Sequence, residues 1–320
     1  MSSPARKAAF WLLKIVVSVS LLWILFSRVE FGKLWAYARG ASLLWLGLSI
    51  ALYFLMVVAS AWRWGLLLRA VRVPVSGRTL LSSFLVATFF NNFLPSNIGG
   101  DFIRIADTAK AAGSKTIATL VVLVDRGIGL LGLVLVAAVG ASLADHLPGT
   151  GVIGPAILWL AVAAGLGLAV LLISHPTLLV KLLGPARRLH AEWIGERLSR
   201  LDLVLTRLRA APAAVAGCLA GALAVQILLV AFYVAIARSM NIPVGLWQLA
   251  VIVPMSALVQ ILPLSMNGFG VREATWAYYF TSIGLAIEQA LLVSFMGAAM
   301  IMVFSLSGAA AYLSRGRTSR

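Results

Sequence analysis

Cysteine and histidine are nearly missing from this chain of 320 residues: there is one cysteine, Cys218, and three histidines, His146, His175 and His190. A lone thiol excludes a disulfide framework and a Cys-based metal cage. Scattered imidazoles supply no metal-ligand spacing, so neither metal nor cofactor is expected. Charge is scarce as well, at 11% of residues, and acid is scarcest, with 10 Asp and Glu against 26 Lys and Arg. No G-x-x-x-x-G-K-[ST] loop occurs, which argues against nucleotide-driven chemistry. What is abundant is apolar: 62% of residues are hydrophobic and mean hydropathy is +1.01, far outside the range of soluble domains. The net charge of +16 raises the question of nucleic acid. The basic residues lie in short segments between apolar runs, as in a membrane protein, and nothing soluble remains to fold into a nucleic-acid reader.

A bilayer crossing needs about 20 apolar residues. Six stretches qualify, at approximately 8–26, 43–61, 116–140, 153–174, 213–237 and 286–313. No small-residue cleavage site follows the first, so it reads as a retained span and not a signal peptide. Basic residues orient the chain. Arg6 and Lys7 hold the N-terminus in the cytoplasm. Arg63, Arg69, Arg72 and Arg78 place the segment after the second span there, and Lys110 and Lys115 do the same before the third. The connection around Asp145, His146 and Pro148 has no Lys or Arg and lies outside. Arg187, Arg188, Arg197, Arg200, Arg207 and Arg209 put the long middle connector inside, with the tail at Arg315, Arg317 and Arg320. Arg28, Lys33 and Arg39 run against this bias.

Two further apolar stretches are interrupted, and by the same pattern. Leu94-Pro95 is followed by Gly100 and Arg104; Leu262-Pro263 is followed by Gly268 and Arg272. Both read L-P-x4-G-x3-R. Proline removes a donor and breaks the helix, and glycine tolerates angles that other residues avoid. In hydrocarbon such backbone survives only inside protein or beside a polar cavity. Paired breaks in two halves of a chain point to a transporter's binding site. Residues 80–105 have cytoplasmic charge on both sides and must enter and return; residues 246–273 must do so from outside. The fold expected is therefore an all-α polytopic membrane protein: six transmembrane helices plus two oppositely oriented re-entrant helical hairpins in an inverted repeat. One domain would cover 1–320, with repeat one at about 8–140, repeat two at about 153–313 and a basic cytoplasmic connector at about 175–212.

The interrupted segments carry the polar side chains. The first holds Asn91, Asn92, Asn97, Gly99, Gly100, Asp101 and Arg104, costly in a membrane unless they serve a cavity. Asn offers donors and acceptors, Gly99-Gly100 would expose backbone N–H groups, and Arg104 could grip a phosphate bidentately or snorkel to headgroups. The second holds Ser265, Asn267, Gly268, Gly270, Arg272 and Glu273. Neighbours on a helix point apart, so Arg272 and Glu273 are not expected to neutralise each other; an anion for Arg272 and a hydroxyl, amine or distant charge for Glu273 fit better. Asp125-Arg126 lies about ten residues into the third span. Asp125 reads either as counter-ion to Arg104 or Arg272 or as a proton-coupling group, facing the interior in both cases. In the connector Leu189, Trp193, Leu198, Leu201, Leu205 and Leu208 share one side, as in a helix on an anionic leaflet or a solvated connector. Gly217 and Gly221 mark close helix packing.

N-x-x-P-x-x-x-G-G-D-x-x-R in the first half, the D-R pair of the third span and L-P-x-S-x-x-G-x-G-x-R-E in the second resemble the lysylphosphatidylglycerol synthase transmembrane family, the flippase-like domain, over essentially the whole chain. The resemblance implies that a membrane lipid is the substrate. It carries motif roles onto Asn91, Pro95, Gly99, Gly100, Asp101, Arg104, Asp125, Arg126, Pro263, Ser265, Gly268, Gly270, Arg272 and Glu273. Because the sequence ends at Arg320, a stand-alone member without the soluble aminoacyl-transferase domain is expected. Asn267 stands where a small residue would keep the tip tightest.

The reading is an inner (plasma) membrane, multi-pass lipid translocase with both termini cytoplasmic. It would move an anionic or aminoacylated phospholipid, hopanoid or polyprenyl-linked lipid between leaflets, by facilitated diffusion or ion coupling through Asp125 and Glu273. Partners would be the lipid and a separate lipid-synthesising enzyme, with a homo-oligomer compatible and nucleic acid excluded. The competing classes are an integral-membrane transferase acting on a lipid and a small-solute transporter.

Overall fold

The computed structural model describes residues 41–93, 99–144, 154–175, 191–261, 265 and 268–318, with scattered positions between 16 and 40. Ten helices are defined among them: α1 (Leu43–Ala70), α2 (Gly77–Phe93), α3 (Gly99–Ala109), α4 (Lys115–Leu143), α5 (Pro155–Ser174), α6 (Ala191–Arg209), α7 (Pro212–Ser239), α8 (Leu246–Ile261), α9 (Val271–Ser282) and α10 (Ile287–Thr318). No strand occurs among the described residues. Helices α1, α4, α5, α7 and α10 are long and apolar enough to cross a bilayer. Large apolar side chains such as Leu55, Leu160, Val170 and Leu306 face outward, where lipid rather than water is the compatible solvent. The chain is an all-α, multi-pass membrane protein. Five expected spans are present; the sixth, 8–26, lies mostly outside the described residues, although 19–25 is helical and Leu25 joins the core.

Span α1 runs nine residues beyond the expected end at 61, because no breaker intervenes before Pro74. Its C-terminus closes on a left-handed residue, Arg72 at φ 60°, and the Val73 N–H reaches back to the Leu68 carbonyl at 2.8 Å. Helix α7 ends the same way: Asn241 at φ 53°, and the Ile242 N–H bonded to Ala237 O at 2.9 Å. This is a Schellman-type stop, and proline follows in both. Val73-Pro74-Val75 and Ile242-Pro243-Val244 are thus a second matched pair in the two halves, one that the sequence reading passed over.

After each stop comes a pair of shorter helices. α2 and α3 have 17 and 11 residues, α8 and α9 have 16 and 12. The returning helix of each pair is too short to span a bilayer. α2 packs on α10 and α8 on α4, while α1 and α7 make the most extensive helix contact. α1 and α7 are antiparallel: Ser42 N–H donates to Ser239 O at 2.8 Å at one end, and Gly217 and Gly221 meet Leu66, Trp62 and Arg63 toward the other. Between them a cluster of Tyr53, Phe232, Tyr233, Trp276 and Phe280 joins α1, α7 and α9.

The connector is not a bare linker. Leu198, Val204, Leu205 and Leu208 of α6 are buried, and Val204 and Leu208 pack with α1 and α4 residues. Arg207 donates to the Val71 carbonyl. Leu189 lies outside the described residues.

Gly140 of α4 and Gly308 of α10 stand 168 residues apart, the same separation as Gly100 and Gly268. A Cβ at Gly140 would come within 2.9 Å of Ala250, and one at Gly308 within 2.1 Å of the Leu85 carbonyl oxygen. The obstacles are backbone, which cannot swing aside. Gly140→Ala and Gly308→Ala are each expected to cost about 1–3 kcal/mol and to lower the thermal unfolding midpoint in detergent. Gly167→Ala, which meets nothing within 4 Å, should cause no loss.

Candidate functional site

Asp125 is 1% exposed, and every strong contact it makes is to an arginine. Arg63 Nε donates to Oδ1 at 2.8 Å and Arg104 Nη2 to Oδ2 at 2.7 Å. Hydrocarbon and low-dielectric protein make an isolated charge very costly, so the three groups are stable only together. Arg104 also packs in the corner made by two aromatic rings, with Cζ 4.5 Å from the Trp64 ring centroid and 4.3 Å from that of Phe84. Its Nη1 lies 3.5 Å from Asp101, which also pairs with Arg126. The Arg126 side chain is 43% exposed and sits on an outward stripe of α4 with Leu123, Gly127 and Leu130.

These contacts correct two expectations and decide between the alternatives of a third. Arg63 belongs to the buried interior of α1, not to a cytoplasmic segment; its charge is tolerated because Asp125 faces it. Asp125 pairs with Arg104, one of the two arginines expected for it, and with Arg63 in place of Arg272. The Gly100 N–H is not open to a ligand but donates to Asn91 Oδ1 at 2.7 Å. Gly100 must be glycine for this: a Cβ would lie 2.5 Å from the Ala87 carbonyl oxygen.

The second half answers with a different arrangement. Gly268 and Gly270 adopt φ 79° and 84°, left-handed values open to glycine, and turn the chain into α9. Glu273, in the first turn, reaches back to accept from the Gly270 N–H at 2.7 Å. That reach carries its carboxylate to Arg272, whose Nε donates to Oε1 at 2.8 Å and whose Nη2 is at 2.5 Å. The expectation that these sequence neighbours would not pair is overturned: the capping reach turns the Glu273 side chain back toward the helix start, within reach of the Arg272 guanidinium. Ser294 of α10 donates to Glu273 Oε1 and accepts from Arg272 Nε, both at 3.1 Å. Glu273 takes the side edge of the guanidinium, formed by Nε and Nη2, and leaves the outer edge at Nη1. In Arg104 the outer edge is the one turned toward Asp125 and Asp101.

A cavity of about 380 Å³ lies between the halves. Asn91 and Asn92 enter it from the end of α2, Gln260 from α8, Phe269 and Arg272 from the second break, and Tyr53 from α1. Both interrupted segments therefore contribute to one chamber. Its walls mix carboxamides, phenols and apolar side chains, with Trp276 Nε1 tied to Ser256 Oγ at 3.1 Å.

The sequence profile described as the lysylphosphatidylglycerol synthase transmembrane region matches residues 11–308. The chain belongs to that family. Among curated proteins, no match to this sequence was found.

In this lysylphosphatidylglycerol synthase transmembrane-family chain the expected site residues fall into two groups. Asp101, Arg104, Asp125 and Arg126 build the ion cluster of the first half, with Gly99 and Gly100 starting the helix that carries Asp101 and Arg104; Asn91, Asn92 and Arg272 face the cavity, Glu273 is paired with Arg272, and Ser265 is buried. Pro95, Asn97, Pro263 and Asn267 lie outside the described residues. Sequence reasoning missed Arg63, Trp64, Phe84 and Ser294, along with the cavity aromatics Tyr53, Tyr233 and Trp276. For Arg63 a signal existed: the helical run continues unbroken through it.

Asp125→Asn should leave Arg63 and Arg104 uncompensated and cost about 3–5 kcal/mol. Thermal unfolding of the purified protein checks this. Adding Arg63→Met to Asp125→Asn should recover part of the loss, because one buried charge goes with it. A stable Asp125→Asn protein would be at odds with the counter-ion role.

Proposed function

We propose that the chain moves an amphiphilic, phosphate-bearing lipid between leaflets, with the headgroup in the cavity and the acyl chains left in the bilayer. The observation that carries this reading is the meeting of both interrupted segments in one polar chamber, with the outer edge of Arg272 on its wall. Two parallel N–H groups on that edge match two oxygens of a phosphate, a fit that no ammonium reproduces. Carboxamides at Asn91, Asn92 and Gln260 suit the hydroxyls and amines of a headgroup. The family membership agrees, since its description names a lipid synthase's membrane region. We read the protein as a transporter and not a transferase, because the cavity wall offers binding groups around a neutralised ion pair. Movement would be facilitated diffusion or ion-coupled, and the lipid would come from a separate synthesising enzyme.

The same proposal assigns α2–α3 and α8–α9 to re-entrant hairpins entering from opposite faces of the plasma membrane, in an inverted repeat with cytoplasmic termini. Supporting it are the short returning helices, the matched stops after α1 and α7, and the antiparallel run of those two helices. The exchange of partners, α2 with α10 and α8 with α4, fits the same symmetry. Basic residues concentrate at the α1–α2 turn, α6 and the end of α10. Arg315 there pairs with Asp107 at 2.8 Å and donates to Ser82 at 2.9 Å, so the end of α10 meets the base of the first hairpin.

Two measurements test this. In liposomes carrying leaflet-reporting fluorescent lipids, Arg272→Lys should slow exchange of a phosphate lipid by roughly tenfold, the worth of one charge-assisted hydrogen bond, and more than Arg126→Lys does. Equal tolerance of both changes would point to general electrostatics. Cysteines at Arg78 and Lys115 should label from the cytoplasm, and at Leu246 and Leu285 from outside. A flanking pair that labels on opposite faces would make its hairpin a full span.

A further inference from the structure

A second concavity, about 290 Å³, lies away from the cavity, on the outer face of the α1–α2 corner. Val58, Trp62 and Arg69 line it from α1; Gly77, Leu80 and Leu81 line it from the start of α2. Its wall is graded. Val58 to Arg69 spans eleven residues, about 16 Å along the helix, which is about half the roughly 30 Å hydrocarbon thickness and so the depth of one leaflet. The deep end is apolar and open outward, with Val58 37% and Trp62 48% exposed. At the shallow end Arg69 stands on the wall, and the corner that follows it carries two more exposed arginines, Arg72 in the helix stop and Arg78 next to the lining residue Gly77. Among the described residues no carboxylate pairs with any of the three. Arg69 Nε is anchored on the carbonyl of Gly65, another lining residue, at 3.2 Å, which holds the guanidinium against the wall. Gly77 has nothing within 4 Å of where a Cβ would stand, so the mouth is open.

The duplicated structure provides an internal comparison. Arg69, Arg72 and the start of α2 correspond to Arg238, Asn241 and the start of α8 in the second half, where the same backbone stop recurs. Only the first copy collects three arginines. The stop therefore does not require them.

We propose that this crevice is a binding site for an anionic glycerophospholipid of the leaflet facing the α1–α2 turn, the cytoplasmic one by charge bias. One acyl chain lies along Val58, Trp62 and Leu81, and the phosphodiester rests between Arg69 and the arginines beside it. This lipid is resident on the outside of the bundle and separate from the cargo in the cavity. A basic head above an apolar groove one leaflet deep has the polarity and length of a phospholipid. A soluble anion would leave the groove unfilled, and a neutral lipid would leave the arginines unanswered.

The purified full chain, delipidated in detergent, is offered phosphatidylglycerol or phosphatidylcholine. Retention is read by native mass spectrometry and by thermal unfolding. Preferential retention of phosphatidylglycerol is expected, with a rise in unfolding midpoint of roughly 5 °C. Arg69→Gln should cut retention at least about threefold, a loss of about 0.7 kcal/mol. Gly77→Leu should do the same while leaving every charge in place, and Arg238→Gln should not. Since Arg69 is exposed, its variant tests the site even if Gly77→Leu fails to fold. Full retention in Arg69→Gln, or an equal loss in Arg238→Gln, would overturn the proposal in favour of diffuse attraction to a basic surface. The readout is occupancy and not movement, so it stands or falls apart from the transport reading.

Discussion

One carboxylate shared by two arginines governs the first half of this protein. Asp125 joins α1, α3 and α4 through Arg63 and Arg104, three helices that hydrophobic contact alone would align only loosely in lipid, where the tails are as apolar as the side chains. Directional charge pairs supply the register. The cluster gathers Arg63, Arg104 and Arg126 against Asp101 and Asp125, which leaves one positive charge in excess. The adjoining Trp64 and Phe84 rings beside Arg104 answer part of it, as desolvated cation–π contacts are worth about 2 kcal/mol or more. Removing the aspartate is then a worse injury than removing either arginine.

The two halves repeat a backbone and vary its chemistry. The stops after α1 and α7, the glycines at the tightest helix crossings and the L-P-x4-G-x3-R breaks all recur, and each answers a local steric demand of the backbone. Side chains are free of that demand. Arg104 and Arg272 occupy the same motif position, yet one turns its outer edge to aspartates from α3 and α4 while the other gives its side edge to the next residue. The first half thereby uses its arginine to hold helices together. The second keeps an edge of its arginine for the chamber.

How far the sequence could be read follows from these demands. Spans and breaks were legible because they depend on composition and on proline and glycine, which act locally. The end of α1 was misjudged because charge was taken as the sign of water, and Arg63 is kept in the membrane by a residue 62 positions away. Pairing of Arg272 with Glu273 was hidden for a related reason. Regular helix geometry separates neighbours, and the reach of the Glu273 side chain back to the Gly270 N–H brings the charged groups together. The cavity aromatics were unreadable among so many apolar residues, since a tyrosine on a lipid face and one on a cavity wall look alike in one dimension.

The partition of arginine edges bears on how such a protein could carry charge without trapping it. A guanidinium with no counter-ion in a low-dielectric chamber would bind phosphate too tightly to let go. One with its outer edge given to two aspartates, as at Arg104, has no such edge left to offer. Arg272 lies between these limits: Glu273 and Ser294 hold it in place and moderate its field, and the outer edge stays available. Because the Glu273 carboxylate is also fixed by the Gly270 N–H, it cannot swing away to leave the arginine bare when a ligand arrives. Under the proposed transport reading, the ion pair would stay intact, and a headgroup would meet a weakened, oriented donor pair instead of a full charge. Release would then require breaking hydrogen bonds only, which suits a site entered from one side and left on the other.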